Sequence, residues 1–242
     1  MTTTPGLAVA LDGPGSSGKS SVGAAAALEV GYRFCDTGLL YRAATYLALE
    51  RHVRPDGDRA DPDALVALVA EIALVADDNG RLSHVSVDGV DVTGEVHSPR
   101  VDEAVSAVSR VPELRAALLE RQRTLAAEPG GIIMAGRDIG TVVLPGADLK
   151  IYLDASVEER ARRRTEERRI DSDSQEARRI LAQLRRRDEL DSTRDVAPLR
   201  AADDAVHIVT DGNRFEDTVA AVTSAIRTAE ASRSVGAAES SR

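Results

Sequence analysis

Short apolar runs alternate with longer helical patterns along most of the chain. The runs lie at 7–11, 32–35, 131–135, 149–153 and 206–209, and their nearly continuous apolar character is typical of strands buried on both faces of a sheet. Helical patterns lie at 20–29, with Gly31 as the predicted stop, and at 39–51, 112–127, 157–169, 175–190 and 215–228. Strands that alternate with helices predict a five-stranded parallel sheet covered on both faces, which is an α/β fold of three layers.

The segment 52–111 interrupts this alternation and is predicted to be an insertion. The pattern predicts, in chain order, a helix from an N-cap at Asp61-Pro62 to about Val75, a β-hairpin of 82–87 and 90–93 around the turn Asp88-Gly89, and a helix that begins at Ser98-Pro99 and reaches about Val111. Pro112 then begins the helix that reaches about Ala127.

The composition narrows the classes of partner and location. The 242 residues carry a formal net charge of −9, whereas nucleic-acid-binding surfaces are usually basic, so we expect no nucleic-acid partner. No apolar run approaches the roughly 20 residues needed to span a bilayer, and no signal peptide is visible. With Cys35 as the single thiol, we expect a cytoplasmic protein with no membrane partner.

The most informative motif lies directly after the first predicted strand. Gly13-Pro-Gly-Ser-Ser-Gly18-Lys19-Ser20 matches the phosphate-loop pattern G-x-x-x-x-G-K-[ST] and opens the first predicted helix, as the pattern requires. Its glycines let main-chain N–H groups surround an anion, and the helix N-terminus adds partial positive charge. Lys19, one of only two lysines, is expected to contact the β- and γ-phosphates of ATP, and the Ser20 hydroxyl to bind Mg²⁺. The motif predicts nucleotide binding but does not separate kinases from switches or motor ATPases.

Three further polar blocks narrow the class. They are Asp36-Thr-Gly-Leu-Leu-Tyr41-Arg42, Gly136-Arg137-Asp138-Ile-Gly140, and Arg187-Asp-Glu-Leu-Asp191-Ser-Thr-Arg194 with Ala197-Pro198-Leu199. Together with the phosphate loop, these blocks closely resemble bacterial cytidylate kinases, and the resemblance runs from Leu7 to about Ala229. It implies transfer of the γ-phosphoryl of ATP to CMP and dCMP, with Mg²⁺ as the cofactor, by a monomeric enzyme.

The resemblance also implies a P-loop NTPase fold with an enlarged monophosphate-binding insertion and a small helical lid. The corresponding boundaries are a core with the phosphate loop at 5–51, the insertion at 52–111, core at 112–156, the lid and basic helices at 157–190, the C-terminal part of the core at 191–230, and a disordered tail at 231–242.

Chemistry and resemblance together name the candidate site residues. The ATP-binding candidates are Gly13, Pro14, Gly15, Ser16, Ser17, Gly18, Lys19, Ser20 and Ser21, with Arg160 and Arg164 of the lid. The CMP-binding candidates are Thr37, Arg42, Ser106, Arg115, Arg137, Asp138, Arg187, Asp191 and Arg194. Lys19, Arg137 and Arg187 are the catalytic candidates, and the metal candidates are Ser20 and, through a water, Asp36.

The arginines have a physical rationale beside the resemblance. Arg42 and Arg137 can each bind a phosphate through two parallel hydrogen bonds. Arg187, Asp191 and Arg194 are spaced by four and three residues, so on a continuing helix they would share one face. From spacing alone, the alternative is an ordinary exposed ion-pair ladder. For the basic stretch that includes Arg160 and Arg164, the alternative is a solvated helix.

Base choice can be explained by one carboxylate. Cytosine presents an amino donor where uracil presents a carbonyl acceptor, so a carboxylate accepts from the first and repels the second. The resemblance assigns this role to Asp138, joined by Ser106 and by Arg115 at the O2 and N3 side of the base. Thr37 stands where the family often has serine, and it keeps the hydroxyl. The acceptor phosphate is already a nucleophile at neutral pH, so no general base is expected.

Other functions compete with this interpretation. Another small P-loop kinase, acting on AMP, UMP or shikimate, is disfavoured by the Gly-Arg-Asp block and the long insertion. A guanine-binding switch would carry Asn-Lys-x-Asp, and neither Lys19 nor Lys150 is flanked in that way. Nucleic-acid binding would have to use the arginine-rich segment 178–187.

Overall fold

The computed structural model describes residues 6–55 and 60–240, with side chains described as far as Val235. In chain order the helices and strands are β1 (Ala8–Asp12), α1 (Lys19–Val30), β2 (Arg33–Asp36), α2 (Gly38–Glu50), α3 (Pro62–Leu68), β3 (Ile72–Ala76), β4 (Arg81–Val87), β5 (Val90–Asp91), α4 (Pro99–Val108), α5 (Pro112–Ala127), β6 (Ile132–Gly136), β7 (Leu149–Asp154), α6 (Val157–Glu167), α7 (Gln175–Thr193), β8 (Val206–Val209) and α8 (Phe215–Ser240). The described chain forms two compact units, one from the residues up to Phe34 and from Pro129 onward, the other from Cys35–Glu128.

The first unit is built on a parallel sheet. Its strands follow one another in the order β2, β6, β1, β7 and β8, and the first half of β2 belongs to this unit. Strand β1 pairs in parallel with β6 and β7, and β7 pairs in parallel with β8. The predicted α/β fold with parallel strands is therefore confirmed, and each predicted strand agrees with an observed one to within one or two residues.

Helix α1 packs closely on this sheet because Gly23 leaves room for it. A Cβ atom at Gly23 would lie 2.5 Å from Cε2 of Phe34, so any larger residue would push the helix away. The buried faces of α1 and α8, including Val22 and Val222, share one apolar core with the strands. The helix ends where predicted, since Gly31 adopts the left-handed conformation with φ of 71°.

The second unit has its own apolar core. Leu40 of α2, Leu65 of α3 and Leu118 of α5 are fully buried in the same cluster, together with residues of β4. The unit is thus wider than the predicted insertion of 52–111, because the apolar faces of α2 and α5 pack inside it. The sequence pattern places both helices correctly but contains no signal for which core they join.

One predicted helix of this unit is shorter than expected. Asp61 caps α3 by accepting the main-chain N–H of Ala64 at 2.9 Å, as predicted, but α3 ends at Leu68 rather than near Val75. The prediction for 72–75 is wrong because Ile72–Ala76 forms β3, which pairs antiparallel with β4. The predicted hairpin turn is confirmed, since Asp88 and Gly89 have φ of 49° and 79°.

Helices α6 and α7 lie in the segment predicted as the lid. They pack on each other through a small apolar cluster of Ala161, Ile180 and Leu184. Ser174 begins α7 by accepting the N–H of Ala177 at 3.1 Å, after a break at the predicted place. Helix α7 continues to Thr193, three residues beyond its predicted end.

Helix α8 continues to Ser240, well beyond its predicted end at Thr228 and through most of the segment expected to be disordered. Two of its side chains anchor the part of this extension that reaches Arg233. Glu230 accepts a hydrogen bond from the Tyr32 hydroxyl at 2.6 Å, and Arg233 lies 3.4 Å from Asp148. These contacts with distant parts of the first unit stabilise turns that their small polar composition alone does not predict. Residues 241 and 242 lie outside the described residues.

The helices were also compared with the requirements of a membrane span. Among the residues that the structure describes, no helix combines the length and apolar character needed to cross a bilayer.

Candidate active site

The phosphate-loop motif lies where the sequence predicts it, between the end of β1 and the start of α1. Gly13, Ser16 and Gly18 adopt positive φ angles of 150°, 62° and 95°, which curl the loop. A Cβ atom at Gly13 would lie 2.1 Å from the carbonyl oxygen of Leu153, so this position requires glycine. The loop thus has the curled main chain that lets successive N–H groups point to one anion.

Lys19 lies folded against this loop. Its side chain is 7% exposed, and its Nζ donates to the carbonyl oxygen of Pro14 at 2.6 Å and to Oγ of Ser17 at 3.3 Å. Ser20 is exposed in the first turn of α1, and Ser21 donates its hydroxyl to the carbonyl oxygen of Gly18 at 3.1 Å. The loop oxygens thus hold Nζ of Lys19 beside the main-chain amides that would face a phosphate.

Arginine side chains from three parts of the first unit converge on the same loop. A Cβ atom at Gly15 would lie 3.2 Å from Nη2 of Arg137 and 3.9 Å from Cδ of Arg187. Arg160 donates to the carbonyl oxygen of Gly15 at 3.1 Å, and Arg164 donates to Oγ of Ser16 at 3.4 Å. The structure therefore brings four of the five candidate arginines of this unit to the phosphate loop, and the fifth, Arg194, lies beside Asp138 instead.

Two aspartates of α7 balance part of this positive charge. Asp191, 6% exposed, accepts from Nε of Arg137 at 3.0 Å and lies 3.9 Å from Nε of Arg187. Asp188 accepts two hydrogen bonds from Arg160, which also donates from Nε to the carbonyl oxygen of Ala155 at 2.9 Å. An exposed ion-pair ladder, the alternative from spacing alone for the set that includes Arg187 and Asp191, does not describe the contacts of Asp191, because that side chain is buried.

The expected common helix face of Arg187, Asp191 and Arg194 is only partly correct. Helix α7 ends at Thr193, and Arg194 takes an extended conformation with ψ of 141°. Its Nη2 lies 3.3 Å from Oδ1 of Asp138, and both side chains are buried. Because the helix ends before Arg194, this residue can reach Asp138, the candidate for recognition of the cytosine amino group, which we call the base reader.

Within the second unit, the candidate residues lie near the start of α2 and on α4 and α5. Thr37 precedes α2 and is 3% exposed, whereas Asp36 accepts the N–H of Gly38 at 2.9 Å. Arg42 donates to the carbonyl oxygen of Val96 at 3.0 Å and to Asp102 at 2.6 Å.

The two candidates for base recognition in this unit are linked through Ser109. Arg115 is buried, donates to the carbonyl oxygen of Ser109 at 3.2 Å and lies over the ring of Tyr41, 5.3 Å from its centroid. The carbonyl oxygen of Ser106 accepts the Ser109 hydroxyl at 3.1 Å. The guanidinium is thus held by a carbonyl and an aromatic face, which orients its remaining N–H groups.

The donor set for a metal is sparse. Among the described residues there is no group of three or more His, Cys, Asp or Glu side chains that could hold a metal ion. Mg²⁺ in nucleotide sites is commonly held by one or two protein oxygens together with phosphate oxygens and waters. The exposed Ser20 hydroxyl suits that kind of coordination, whereas an all-protein metal cage is not formed by the described residues.

A comparison with protein families gives the relationship that these motifs suggest. A family model described as cytidylate kinase matches residues 9–228. The chain belongs to the cytidylate kinase family. A cytidylate kinase from Rhodococcus opacus is 45% identical over 217 residues, which cover 90% of this chain and 93% of the relative. A cytidylate kinase from Enterococcus faecalis is 44% identical over 223 residues, which cover 91% and 96%.

Among solved structures, a gluconokinase from Sinorhizobium meliloti 1021 matches over 93% of this chain and 94% of its own. It is 15% identical, with a TM-score of 0.47. Membership of the cytidylate kinase family makes the protein a kinase, consistent with the phosphate loop and its arginines.

Two residues with roles near the proposed site in this cytidylate kinase family member were not predicted from the sequence. Asp188 is one of many charged residues of a basic helix, and only the fold pairs it with Arg160. Asp12 is 3% exposed, and burial raises its pKa to about 6, although the main-chain N–H groups of Gly140 and Ile139 oppose that rise. An acidic residue that ends an otherwise apolar strand was a visible signal for Asp12.

Proposed function

We propose that the protein transfers the γ-phosphoryl group of ATP to CMP and dCMP, producing CDP and dCDP. Family membership supports the choice of cytidine monophosphate, because the similar proteins are themselves cytidylate kinases. The single observation that carries the proposal is the convergence of Lys19 and four arginines on the curled loop after β1. Such a cluster suits a transferred group whose charge spreads over several oxygens.

The donor is bound by the phosphate loop in this proposal. Main-chain N–H groups of the loop and Nζ of Lys19 would surround the β- and γ-phosphates. Residues Gly13, Pro14, Gly15, Ser16, Ser17, Gly18, Ser20 and Ser21 form this cradle together with Lys19. Arg164 reaches Ser16 and would extend the positive charge over the γ-phosphate. Arg160 is already saturated by three acceptors, so we assign it to shaping the loop more than to direct ATP contact.

The acceptor nucleotide has a phosphate end and a base end. In the first unit, Arg137 and Arg187, oriented by Asp191, would bind the CMP phosphate and stabilise charge during transfer. Asp138, held by Arg194, would accept the exocyclic amino group of cytosine. In the second unit, Thr37 and Arg42 are proposed to bind the phosphate and ribose side, and Ser106 and Arg115 the base.

Mg²⁺ would be held by the Ser20 hydroxyl and the ATP phosphates, with Asp36 as a possible contributor through a water. Bound there, the ion would neutralise charge on the phosphate oxygens. The protein's own groups position the reactants and supply the remaining positive charge. No general base is needed, since the acceptor phosphate has a second pKa near 6 and is already nucleophilic at neutral pH.

The test is a turnover panel with Mg-ATP against CMP, dCMP, UMP and AMP, read as ADP release and as product nucleotide. We expect kcat/KM to be highest for CMP and dCMP. A mismatched base that leaves a buried carboxylate unpaired costs roughly 1–3 kcal/mol, so UMP should be poorer by about tenfold or more. A higher kcat/KM for AMP or UMP would show that the proposed acceptor is wrong. Absence of transfer to all four nucleotides would refute the proposed kinase activity.

The predicted monomeric state and cytoplasmic location belong to the same proposal. They rest on the resemblance to the family and on a single, buried thiol at Cys35. Sedimentation of the purified protein would test the first, and fractionation of cells the second.

A further inference from the structure

Asp12 links the ends of two neighbouring strands. It is the last residue of β1 and stands in register with Gly136, the last residue of β6. Its Oδ1 accepts the main-chain N–H of Ile139 at 2.8 Å, and its Oδ2 accepts that of Gly140 at 2.7 Å. Both carboxylate oxygens are therefore committed to the chain that follows β6.

This link lies between two parts of the proposed site. Strand β1 leads directly into the phosphate loop at Gly13, and β6 leads directly into Arg137 and Asp138. After Asp138 the chain forms a π-helical turn, Ile139–Val143, whose first two N–H groups are those that Asp12 accepts. A carboxylate that accepts two main-chain donors fixes the turn in position and direction, because both donors must point to the same group.

The surroundings of Asp12 disfavour the ionised form of its carboxyl group. Its pKa is raised to about 6, chiefly by burial; the main-chain donors Gly140 and Ile139 oppose this rise, the charge of Asp138 adds to it, and Lys19 lowers it. Tyr152 is its neighbour in register on β7, and the pKa of that phenol is raised by burial first and by the charges of Asp154 and, less strongly, Asp12. An asparagine of the same size would carry no charge to bury, whereas the acid offers one acceptor oxygen to each of the two main-chain donors.

We infer that Asp12 is a positioning residue that holds the Arg137–Asp138 segment against the phosphate loop, and so sets the geometry of cytosine recognition. The inference rests on the proposed function of Asp138 as base reader. Asp12 does not touch either nucleotide in this scheme. It acts through the main chain of Ile139 and Gly140, which directly follow the reader.

The variant that separates this role from packing is Asp12→Asn. Asparagine keeps the size of the side chain, but its oxygen can accept only one of the two N–H groups, and its amide donor faces the other. We expect KM for CMP to rise by about tenfold and the preference for CMP over UMP to fall by a similar factor. KM for ATP should change by about threefold or less, since the loop keeps its own contacts.

Asp148→Asn is the matched control. Asp148 also accepts a main-chain N–H of β1, that of Ala8 at 2.8 Å, but at the other end of the strand. It should leave both KM values and the base preference within about twofold of the wild type. Equal effects of the two substitutions on base preference would overturn the inference, as would an Asp12→Asn enzyme with wild-type CMP parameters.

A spectroscopic readout tests the geometry without relying on turnover. In ¹H–¹⁵N spectra of the wild type, the amide protons of Ile139 and Gly140 should titrate together with a midpoint near pH 6 and lose this titration in Asp12→Asn. Absence of a common titration in the wild type would refute the link, even if the variant failed to fold. A wild type that never phosphorylates CMP would instead refute the proposed function, while the titration would still decide whether Asp12 holds the segment.

Discussion

Asp138 and Arg194 form a buried ion pair, in which Nη2 of Arg194 lies 3.3 Å from Oδ1 of Asp138. The residues are 5% and 6% exposed, so neither charge can be fully hydrated if the other is removed. Arg194 directly follows α7, and Asp138 is the second residue after β6, so the pair joins the ends of two elements. The proposed base reader is therefore also a structural residue, and a substitution must separate the two roles.

Asp138→Ala should destabilise the fold, whereas Asp138→Asn should mainly change base choice. Removal of one partner of a buried pair typically costs about 3 kcal/mol, because the remaining charge is left uncompensated. Asparagine keeps an oxygen acceptor for Arg194 and adds an amide donor that uracil can use. We expect the CMP to UMP ratio of kcat/KM to fall by about tenfold or more in Asp138→Asn, with urea denaturation as the measure of stability.

The control for this pair of variants is Asp204→Asn. Asp204 pairs with Lys150 at 3.0 Å, but its side chain is 67% exposed, and exposed pairs contribute about 1 kcal/mol or less. Its substitution should change neither base choice nor stability appreciably. An Asp138→Asn enzyme with unchanged CMP preference would remove Asp138 from the role of base reader.

Arg160→Ala should weaken both the fold and ATP binding. The guanidinium of Arg160 is 4% exposed and joins α6 to the carbonyl oxygen of Gly15 and to Asp188 of α7. Loss of a buried charge-assisted network should lower the free energy of unfolding by about 2 kcal/mol. KM for ATP should rise because the loop at Gly15 loses its donor. Thermal denaturation and steady-state kinetics measure the two effects.

Arg162→Ala is the matched control on the same helix. Arg162 pairs with Glu159 at 2.8 Å and with Glu166 at 2.5 Å, and its side chain is 52% exposed. Such helical surface pairs contribute tenths of a kcal/mol, so its removal should change stability by about 0.5 kcal/mol or less. If Arg162→Ala and Arg160→Ala had equal effects, the clamping role of Arg160 would be wrong.

Local signals were enough to predict much of the fold and the position of the curled loop between β1 and α1. The apolar runs mark the parallel strands of the first unit, and Gly13 to Ser20 identify the loop by composition and context. These features depend on residues that are neighbours in sequence: glycines that permit positive φ, and a helix that begins at Lys19. The family resemblance adds Arg137 and Arg187 as candidate site residues, and the fold brings both beside Gly15.

What could not be predicted depends on partners distant in sequence. The apolar pattern of 72–75 predicts a helix, but its pairing with β4 makes this segment part of strand β3. The continuation of α8 depends on contacts of Arg233 with Asp148 and with the carbonyl oxygen of Gly6. Likewise, the guanidinium of Arg160 finds its acceptor Asp188 only when α6 and α7 pack together. Composition alone therefore could not distinguish Arg160 from the solvated arginines of the same helix.

Gly15→Ala should shift the guanidinium of Arg137 beside the phosphate loop. The added Cβ would lie 3.2 Å from Nη2 of Arg137, so the guanidinium must move slightly from its position beside Asp191. If Arg137 binds and stabilises the transferred group, the substitution should lower kcat by about tenfold or more, since removal of one such donor can cost 10²–10³ in kcat. The fold should be retained, because the arginine end can shift.

Gly146→Ala provides the comparison, since a Cβ atom there meets nothing within 4 Å. Its kinetics should match the wild type within about twofold. Wild-type turnover in Gly15→Ala would show that the approach of Arg137 to the loop has no part in transfer.

Lys19→Met should reduce turnover while leaving the fold intact. Methionine keeps an unbranched apolar stem but removes the ammonium that reaches the carbonyl oxygen of Pro14 at 2.6 Å. Loss of this charge beside the transferred phosphoryl should lower kcat by about 10²-fold or more. Lys150→Met removes the only other lysine and should leave kcat nearly unchanged. Circular dichroism checks the fold, and comparable turnover in the two variants would contradict the role of Lys19.

Asp12 should make the stability of the protein fall as pH rises through the range from about 4 to 6. Burial raises the pKa of Asp12 from 3.8 to about 6 in the folded state, so between these values the folded chain keeps a proton that the unfolded chain has lost. Stability decreases with pH wherever the folded state binds more protons. One pKa unit corresponds to about 1.4 kcal/mol, so the wild type should lose about 3 kcal/mol of unfolding free energy relative to Asp12→Asn between pH 3.5 and pH 7.

Urea denaturation of both proteins across this range measures the difference in unfolding free energy, in which the contributions of the other titrating groups largely cancel. A difference that did not vary with pH would mean that the Asp12 carboxyl titrates at its ordinary value, and a difference that grew in favour of the wild type would mean that its hydrogen bonds outweigh its burial.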